Sequence, residues 1–461
     1  MAPVRICHTQ PIAGKAMTHH RTHTSFLPDD APLRATLHNE VHARPAASIR
    51  LPALIVYVAV LNTGISREQE CAHLRLLPNQ QDLPLESLAN NFLRLSLGNY
   101  ILKWERHTEF TRYSIVQALP AHANLGALPG TQEPDLSSHV VVSADWLRSL
   151  PGQTVAAIQM AMVEADVTDT SSTMRHAQNW FGGRAVLASL LGMGHSCAVS
   201  ELRIGEDGFE RMLVIAPHGT TESRSGRNSH RLLELETYRL MALRGLPVAK
   251  ELGTMLSECE GALADITMQL DQKSASDQDL LDSLVSLAAR VERATAAHGY
   301  RFSATRAYAA LVAQRISELS EKEIPGTQSI GNYLQHRLSP AIATVAATEQ
   351  RLHALSERIA RASALLRTRV DIATEVQNQQ LLEKLTRGQE LQLSLQSTVE
   401  GLSIAAISYY VVNLLLYAGK ALKAVGVPID PEIVAGSLIP LVLWAVWRGT
   451  RHIRSKFHLR K

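Results

Sequence analysis

The chain has 461 residues, enough for two or three domains around a sizeable buried core. Its formal net charge of +3 is too small to argue for nucleic acid, and no interleaving of basic and aromatic residues supports such a partner. Cys7, Cys71, Cys197 and Cys259 lie far apart without a C-x-x-C pair, which argues against a disulfide framework or a zinc finger and suits a reducing compartment.

Residues 1–30 carry Arg5, Lys15, Arg21 and several histidines, but no apolar run of signal-peptide length. They read as a disordered leader, and the bulk of the chain is expected in the cytoplasm. Residues 31–226 read as a mixed α+β cytoplasmic domain. Ala53 to Leu61 is a short apolar run suited to a buried strand. Leu85 to Leu97 is patterned as an amphipathic helix. Gly98 to His107 and Glu109 to Leu119 alternate polar and apolar residues, as a hairpin does. Val140 to Ser143, Cys197 to Ile204 and Arg211 to Ala216 read as further strands, the last two joined by Gly205-Glu206-Asp207-Gly208.

The best polar constellation in this domain is His38-Asn39-Glu40-Val41-His42-Ala43-Arg44-Pro45. On an extended strand, His38, Glu40 and His42 share one face with Arg44, a candidate metal or anion site. The spacing is not that of the H-E-x-x-H metalloproteases, because the glutamate follows the first histidine by two residues. Phe181-Gly182-Gly183-Arg184 and Gly192-Met193-Gly194-His195 fit neither phosphate-loop pattern and read as turns. No G-x-S-x-G elbow is present, and the sequence specifies no cofactor.

Residues 227–400 are rich in Leu, Ala, Glu, Arg and Gln and read as a helical bundle or coiled-coil stalk. Helices are expected over Arg227–Leu243, Ala249–Leu270, Asp277–Ala297 and Ser303–Lys322. Leu352, Leu355, Ile359, Ala362, Leu366, Ala373 and Val376 fall on alternating steps of three and four, with Arg369 interrupting the seam. From Ser339 onward only Pro340 and Gly388 break the pattern, so one long helix is expected to run into a membrane.

Residues 401–447 read as a transmembrane hairpin. Gly401 to Gly419 holds no charge, and its 19 residues come close to the ~30 Å of hydrocarbon in a bilayer. Ser408 and Asn413 are polar groups within this span that prefer a helix–helix contact to lipid. Ile433 to Trp447 is shorter and holds Pro440, but Trp444, Trp447 and Arg448 suit an interface. Residues 448–461 form a basic tail. Arg448, Arg451, Arg454, Lys456, Arg460 and Lys461 place it in the cytoplasm by the positive-inside rule, outnumbering Lys420 and Lys423 in the connector. Two spans then put both termini in the cytoplasm.

Four segments together carry a family resemblance: Leu37 to Pro45, Gly226 to Ala249, Leu365 to Leu385 and Leu395 to Val412. With them the chain resembles a bacterial family of membrane-anchored proteins of unknown function. The resemblance implies a protein fixed in the inner membrane and supplies no catalytic residue. A weaker likeness, of architecture alone, is to the CorA-type magnesium channels. Their Gly-Met-Asn signature is replaced here by Tyr417-Ala418-Gly419-Lys420.

The expected architecture is therefore an α+β N-terminal domain, a helical stalk and a two-helix transmembrane hairpin. Three functional readings follow. The first is a non-enzymatic scaffold bound to the lipid bilayer, forming homo-oligomers through the stalk and the first span. The second is a CorA-like oligomeric channel with Ser408 or Asn413 facing a pore. The third is a metal-dependent enzyme using His38, Glu40 and His42.

Overall fold

The computed structural model describes residues 31, 33–34, 48–127, 130, 132–424 and 430–458, with side chains of the last helix described to residue 450. They divide into two compact units. One takes the chain up to Glu260 together with Arg290–Leu355; the other takes Gly261–Ala289 and Ser356 onward.

The first unit is built on a sheet. In chain order its strands are β1 (Ala53–Leu61), β2 (Phe92–Leu97), β3 (Tyr100–Arg106), β4 (Phe110–Ala118), β5 (Gln153–Glu164), β6 (Leu187–Leu191), β7 (Ser196–Ile204), β8 (Glu210–Ala216) and β9 (Lys322–Glu323). They pair in the order β2-β3-β4-β1-β5-β8-β7-β6-β9. All pairs are antiparallel except β5 with β8. β1 is buried almost end to end because it lies between β4 and β5 and both of its faces are covered.

Strand alternation sorts the side chains of β1 onto two cores. Leu54, Val56, Val58 and Val60 join one cluster with Leu74 of α1 (Arg67–Leu74), Trp146 of α2 (Ala144–Arg148) and Trp180 of α3 (Thr170–Trp180). Ala53, Ile55, Tyr57 and Ala59 join the opposite cluster. That second core is closed by Leu232, Leu235, Tyr238 and Met241 of α4 (Glu222–Leu243). Val312 and Leu319 of α6 (Asp277–Leu319) and Ile330 and Leu334 of α7 (Ile330–Ala424) complete it. The short helices carry local start signals. Ser66 and Gln69 form a capping box on α1, and Asp169 accepts hydrogen bonds from the Ser171 and Ser172 amides at the start of α3.

The second unit is helical. The end of α5 (Gly245–Gln272) and the start of α6 bury Leu263, Leu280 and Leu284, and α7 buries Ile359 and Leu366. Arg369 donates to the Leu270 carbonyl at 2.9 Å and pairs with Asp277 at 3.2 Å. The residue that interrupts the seam in sequence therefore pins the α5–α6 turn to α7. The seam is packed inside the chain through Leu366; Ala373 and Val376 beyond it are exposed. α8 (Pro431–His458) follows α7, and a Cβ added at Gly419 would stand 3.2 Å from the Pro431 side chain. Gly419 thus marks a close approach of the two helices.

Several elements differ from expectation. Leu85 to Leu97 is not one amphipathic helix: a 3-10 turn over Leu85–Leu88 gives way to β2. Asn91 adopts a left-handed φ of 56° that ends helical winding, and Phe92 onward alternates as a strand. Gly98, at φ 60°, then opens the two-residue turn to β3. Val140 to Ser143 forms no strand, because the Val141 amide donates to the Gln117 side chain and Ser143 caps α2. The helices expected at Asp277–Ala297 and Ser303–Lys322 are one, α6; Gly299 alone is too weak a breaker to stop it.

Candidate functional site

The face of the sheet beneath α4 holds a run of buried charges. Lys103 and Glu105 lie two apart on β3 and so share a face, and Arg112 on β4 is the register partner of Glu105. Arg112 donates from Nε to Glu105 and from Nη1 to Glu234 Oε1 of α4, the latter at 3.1 Å. Glu234 also accepts from Arg315 of α6 at 2.7 Å and from the Tyr238 hydroxyl at 3.2 Å. His230, one turn before it, lies 3.3 Å away. Lys103 Nζ pairs with Glu105 at 3.2 Å, and Arg315 with Glu318 at 2.7 Å. Three cations thus meet three carboxylates.

Burial opposes ionising Glu105, yet Arg112 and Lys103 beside it prevail and hold its carboxyl down at about 2. Burial, reinforced by Arg112, pushes His230 down to about 4, so its ring is neutral at physiological pH. Burial raises Tyr57 to about 12, and its hydroxyl shares a 2.8 Å hydrogen bond with Thr237. Every strong charge is answered by a partner. The cleft at this place, between the sheet and Gly226, Ser229 and His230, encloses about 50 Å³. That admits a few waters at most, far below the ~300 Å³ of a usual ligand pocket. The arrangement clamps α4 to the sheet.

Farther along the same face Ser200 donates to Glu210 of β8 at 3.1 Å, and Arg239 donates to Glu236 of α4. Burial and the adjoining Glu236 carboxylate push the Glu210 carboxyl well above its ordinary range. A carboxyl whose pKa is raised by folding contributes fully below the unfolded value of ~4.3 and loses that contribution as pH climbs to the raised value. Glu210→Gln is expected to remove this alkaline-side loss, flattening the midpoint of urea denaturation between pH 5 and pH 8 relative to wild type. An unchanged slope would show that Glu210 is ionised in the fold.

An open cleft of about 570 Å³ gathers Glu164, Asp166, Asp169, His176 and His218. Its aspartates are engaged locally, Asp166 with Thr168 and Asp169 with the start of α3. Among the described residues no group of three His, Cys, Asp or Glu side chains is placed to hold a metal ion. Cys71, Cys197 and Cys259 are free and buried, and burial lifts the Cys197 thiol to about 12, far from a reactive thiolate.

His38, Glu40 and His42 lie outside the described residues. Ser408 is buried on α7, on the side that also covers Ile404 and Val412. On α8, Ala435 and Val442 are buried. Asn413 is half-buried, toward the other side of α7. The structure does not bring Ser408 and Asn413 together on one face. The sequence marks the Glu105–Arg112–Glu234 network only by Lys103 and Glu105 inside the strand Tyr100–Arg106.

The sequence model of a family described as protein of unknown function (DUF3422) matches residues 29–457. The chain belongs to this family. The match takes in the sheet, the helices and both apolar segments, and it lends nothing to the likeness with CorA-type channels. No curated protein matches the sequence. Of the segments that carry the resemblance, Gly226 to Ala249 is α4 with the first turn of α5 and supplies His230, Glu234, Glu236 and Tyr238 to the buried face; Leu365 to Leu385 and Leu395 to Val412 lie on α7.

Proposed function

We propose that this DUF3422 protein is an integral protein of the bacterial inner membrane, held by the hairpin of α7 and α8, and that it acts as a non-enzymatic scaffold. The observation that carries the reading is the exposure of the hairpin's apolar side chains. Two helices are long and apolar enough to cross a membrane, and only 6% and 11% of their apolar windows are buried. Leu402, Tyr409, Leu414, Ile433, Leu441 and Trp444 are each more than half exposed. A soluble protein's core helix hides such side chains, whereas a bilayer supplies the apolar surroundings they lack.

The basic run from Arg448 supports a cytoplasmic C-terminus, and two spans then return the sheet unit to the same side. The scaffold role draws on the balanced buried charges beneath α4, which tie the helix to the sheet as a rigid body. Alkaline carbonate treatment of membranes from cells expressing the full chain tests the anchor. The protein is expected to stay in the pellet, and protease added to right-side-out vesicles is expected to leave the sheet unit intact. Release into the supernatant overturns the anchor; digestion of the sheet unit overturns the orientation.

A further inference from the structure

Every residue of α7 from Asp371 to Val399 is exposed. At 1.5 Å per residue this is ~43 Å of helix open to solvent on all sides. A helix that stands alone is usually polar all round. This one carries Leu381, Leu385, Leu395 and Val399, each more than half exposed.

Their spacing is ordered. Leu381, Leu385, Gly388, Gln392, Leu395, Val399, Leu402, Ala406, Tyr409 and Asn413 follow one another in strictly alternating steps of four and three. That is the seam of a coiled coil kept for more than four heptads, from the exposed helix into the apolar span without a change of phase. Within the span the seam side, Leu402, Ala406 and Tyr409, is exposed, and the side bearing Ile404, Ser408 and Val412 is the covered one.

Charge placement and polar placement both point to an identical partner. Glu383, Arg387, Glu390 and Glu400 lie off the seam and its flanks; the flanking positions hold one charge, Lys384, which in a parallel pair faces Gln389 of the other copy. Two copies therefore meet no like charges. Gln392 and Asn413 sit at seam positions where an amide is unfavourable against an apolar partner but pairs with its own copy, donor to acceptor, in one register.

We infer that Leu381 to Asn413 of α7 pairs with the same segment of a second copy, parallel and in register, with Gln392 and Asn413 setting that register. The parallel direction rests on the membrane anchor proposed above, since two copies in one bilayer enter it the same way.

Single cysteines introduced into the full chain carrying Cys7→Ala test the pairing, the remaining cysteines being buried. Leu385→Cys, Leu395→Cys and Leu402→Cys lie on the seam, and Ser397→Cys lies on the opposite side of the helix. Oxidation in isolated membranes is expected to give covalent dimers at all three seam positions and roughly tenfold less at Ser397, because facing seam residues come within disulfide reach. Equal yields at all four positions, no dimer, or dimer at one seam position alone, as an antiparallel pair gives, overturns the inference. Carbonate extraction of the same samples keeps the two readings apart. Seam-specific dimers in protein that carbonate releases uphold the pairing and overturn the anchor, while retained protein without seam dimers overturns the pairing alone.

Discussion

Arg112→Met is expected to lower the unfolding free energy by about 3–5 kcal/mol, the usual consequence of removing one partner from a buried ion pair. Arg112 is almost wholly buried and holds Glu105 and Glu234 at once, so its loss strands two carboxylates on the inner face of α4. Glu234 keeps Arg315, but Glu105 keeps only Lys103. Methionine fills much of the space of the arginine stem, which isolates the electrostatic loss from a cavity effect. Denaturant titration of the detergent-solubilised full chain, followed by tryptophan fluorescence, measures it. Trp104, buried on β3 beside Glu105, reports on this part of the sheet. Adding Glu105→Gln to Arg112→Met removes one stranded charge and is expected to recover part of the loss. A purely additive double mutant would mean the two side chains are not coupled.

On the proposed anchor, Ile407→Arg is expected to release the chain from the membrane. Ile407 is exposed and stands three residues from the middle of the uncharged stretch Gly401–Gly419. Exchanging an isoleucine for arginine near the centre of a span swings the insertion free energy by about 3–4 kcal/mol. The second span is short and interrupted by Pro440, so it has little capacity to hold the hairpin in place alone. Ser394→Arg, on the exposed part of the same helix, is the matched control and should change stability by no more than ~0.5 kcal/mol. Carbonate extraction distinguishes the two variants. Equal retention would mean that residues 401–419 do not lie in hydrocarbon.

Features with a strong local cause were legible before the structure. β1 was visible with its observed limits because nine apolar residues in a row have few other uses in a mixed domain. The hairpin of β3 and β4, the turn between β7 and β8 and the run of α7 into its apolar end were visible for similar reasons, although α7 begins at Ile330, ahead of Ser339, and carries Pro340 inside it. β5 was not, since Gln153–Glu164 mixes Ala, Met and Gln and owes its strand form to lying between β1 and β8. α6 looked like two helices because Gly299 interrupts the helical pattern, yet the chain winds on through it and buries Phe302 three residues later. The buried charge network was least legible of all. Its members come from β3, β4, α4 and α6, and only the register of Glu105 opposite Arg112 brings them together. The apolar repeat along α7 shifts phase between Val376 and Leu381. The apolar repeat from Leu352 to Val376 is covered inside the chain as far as Leu366, and the seam inferred above begins at Leu381, where α7 is exposed.

The rims of the sheet bear on how copies of the chain behave when concentrated, as the proposed membrane anchor would concentrate them. β2 ends the sheet on one side and is only six residues long, with Arg94 in its middle, a left-handed residue before it and a tight turn after it. On the other side the sheet ends in β9, two charged and exposed residues. Neither rim offers a long apolar strand to another molecule, so stacking of sheets into fibres is disfavoured at both ends. Proteins confined to a surface meet each other far more often than in free solution. If copies pair through α7 as inferred above, the strands at the two rims add no second route of association.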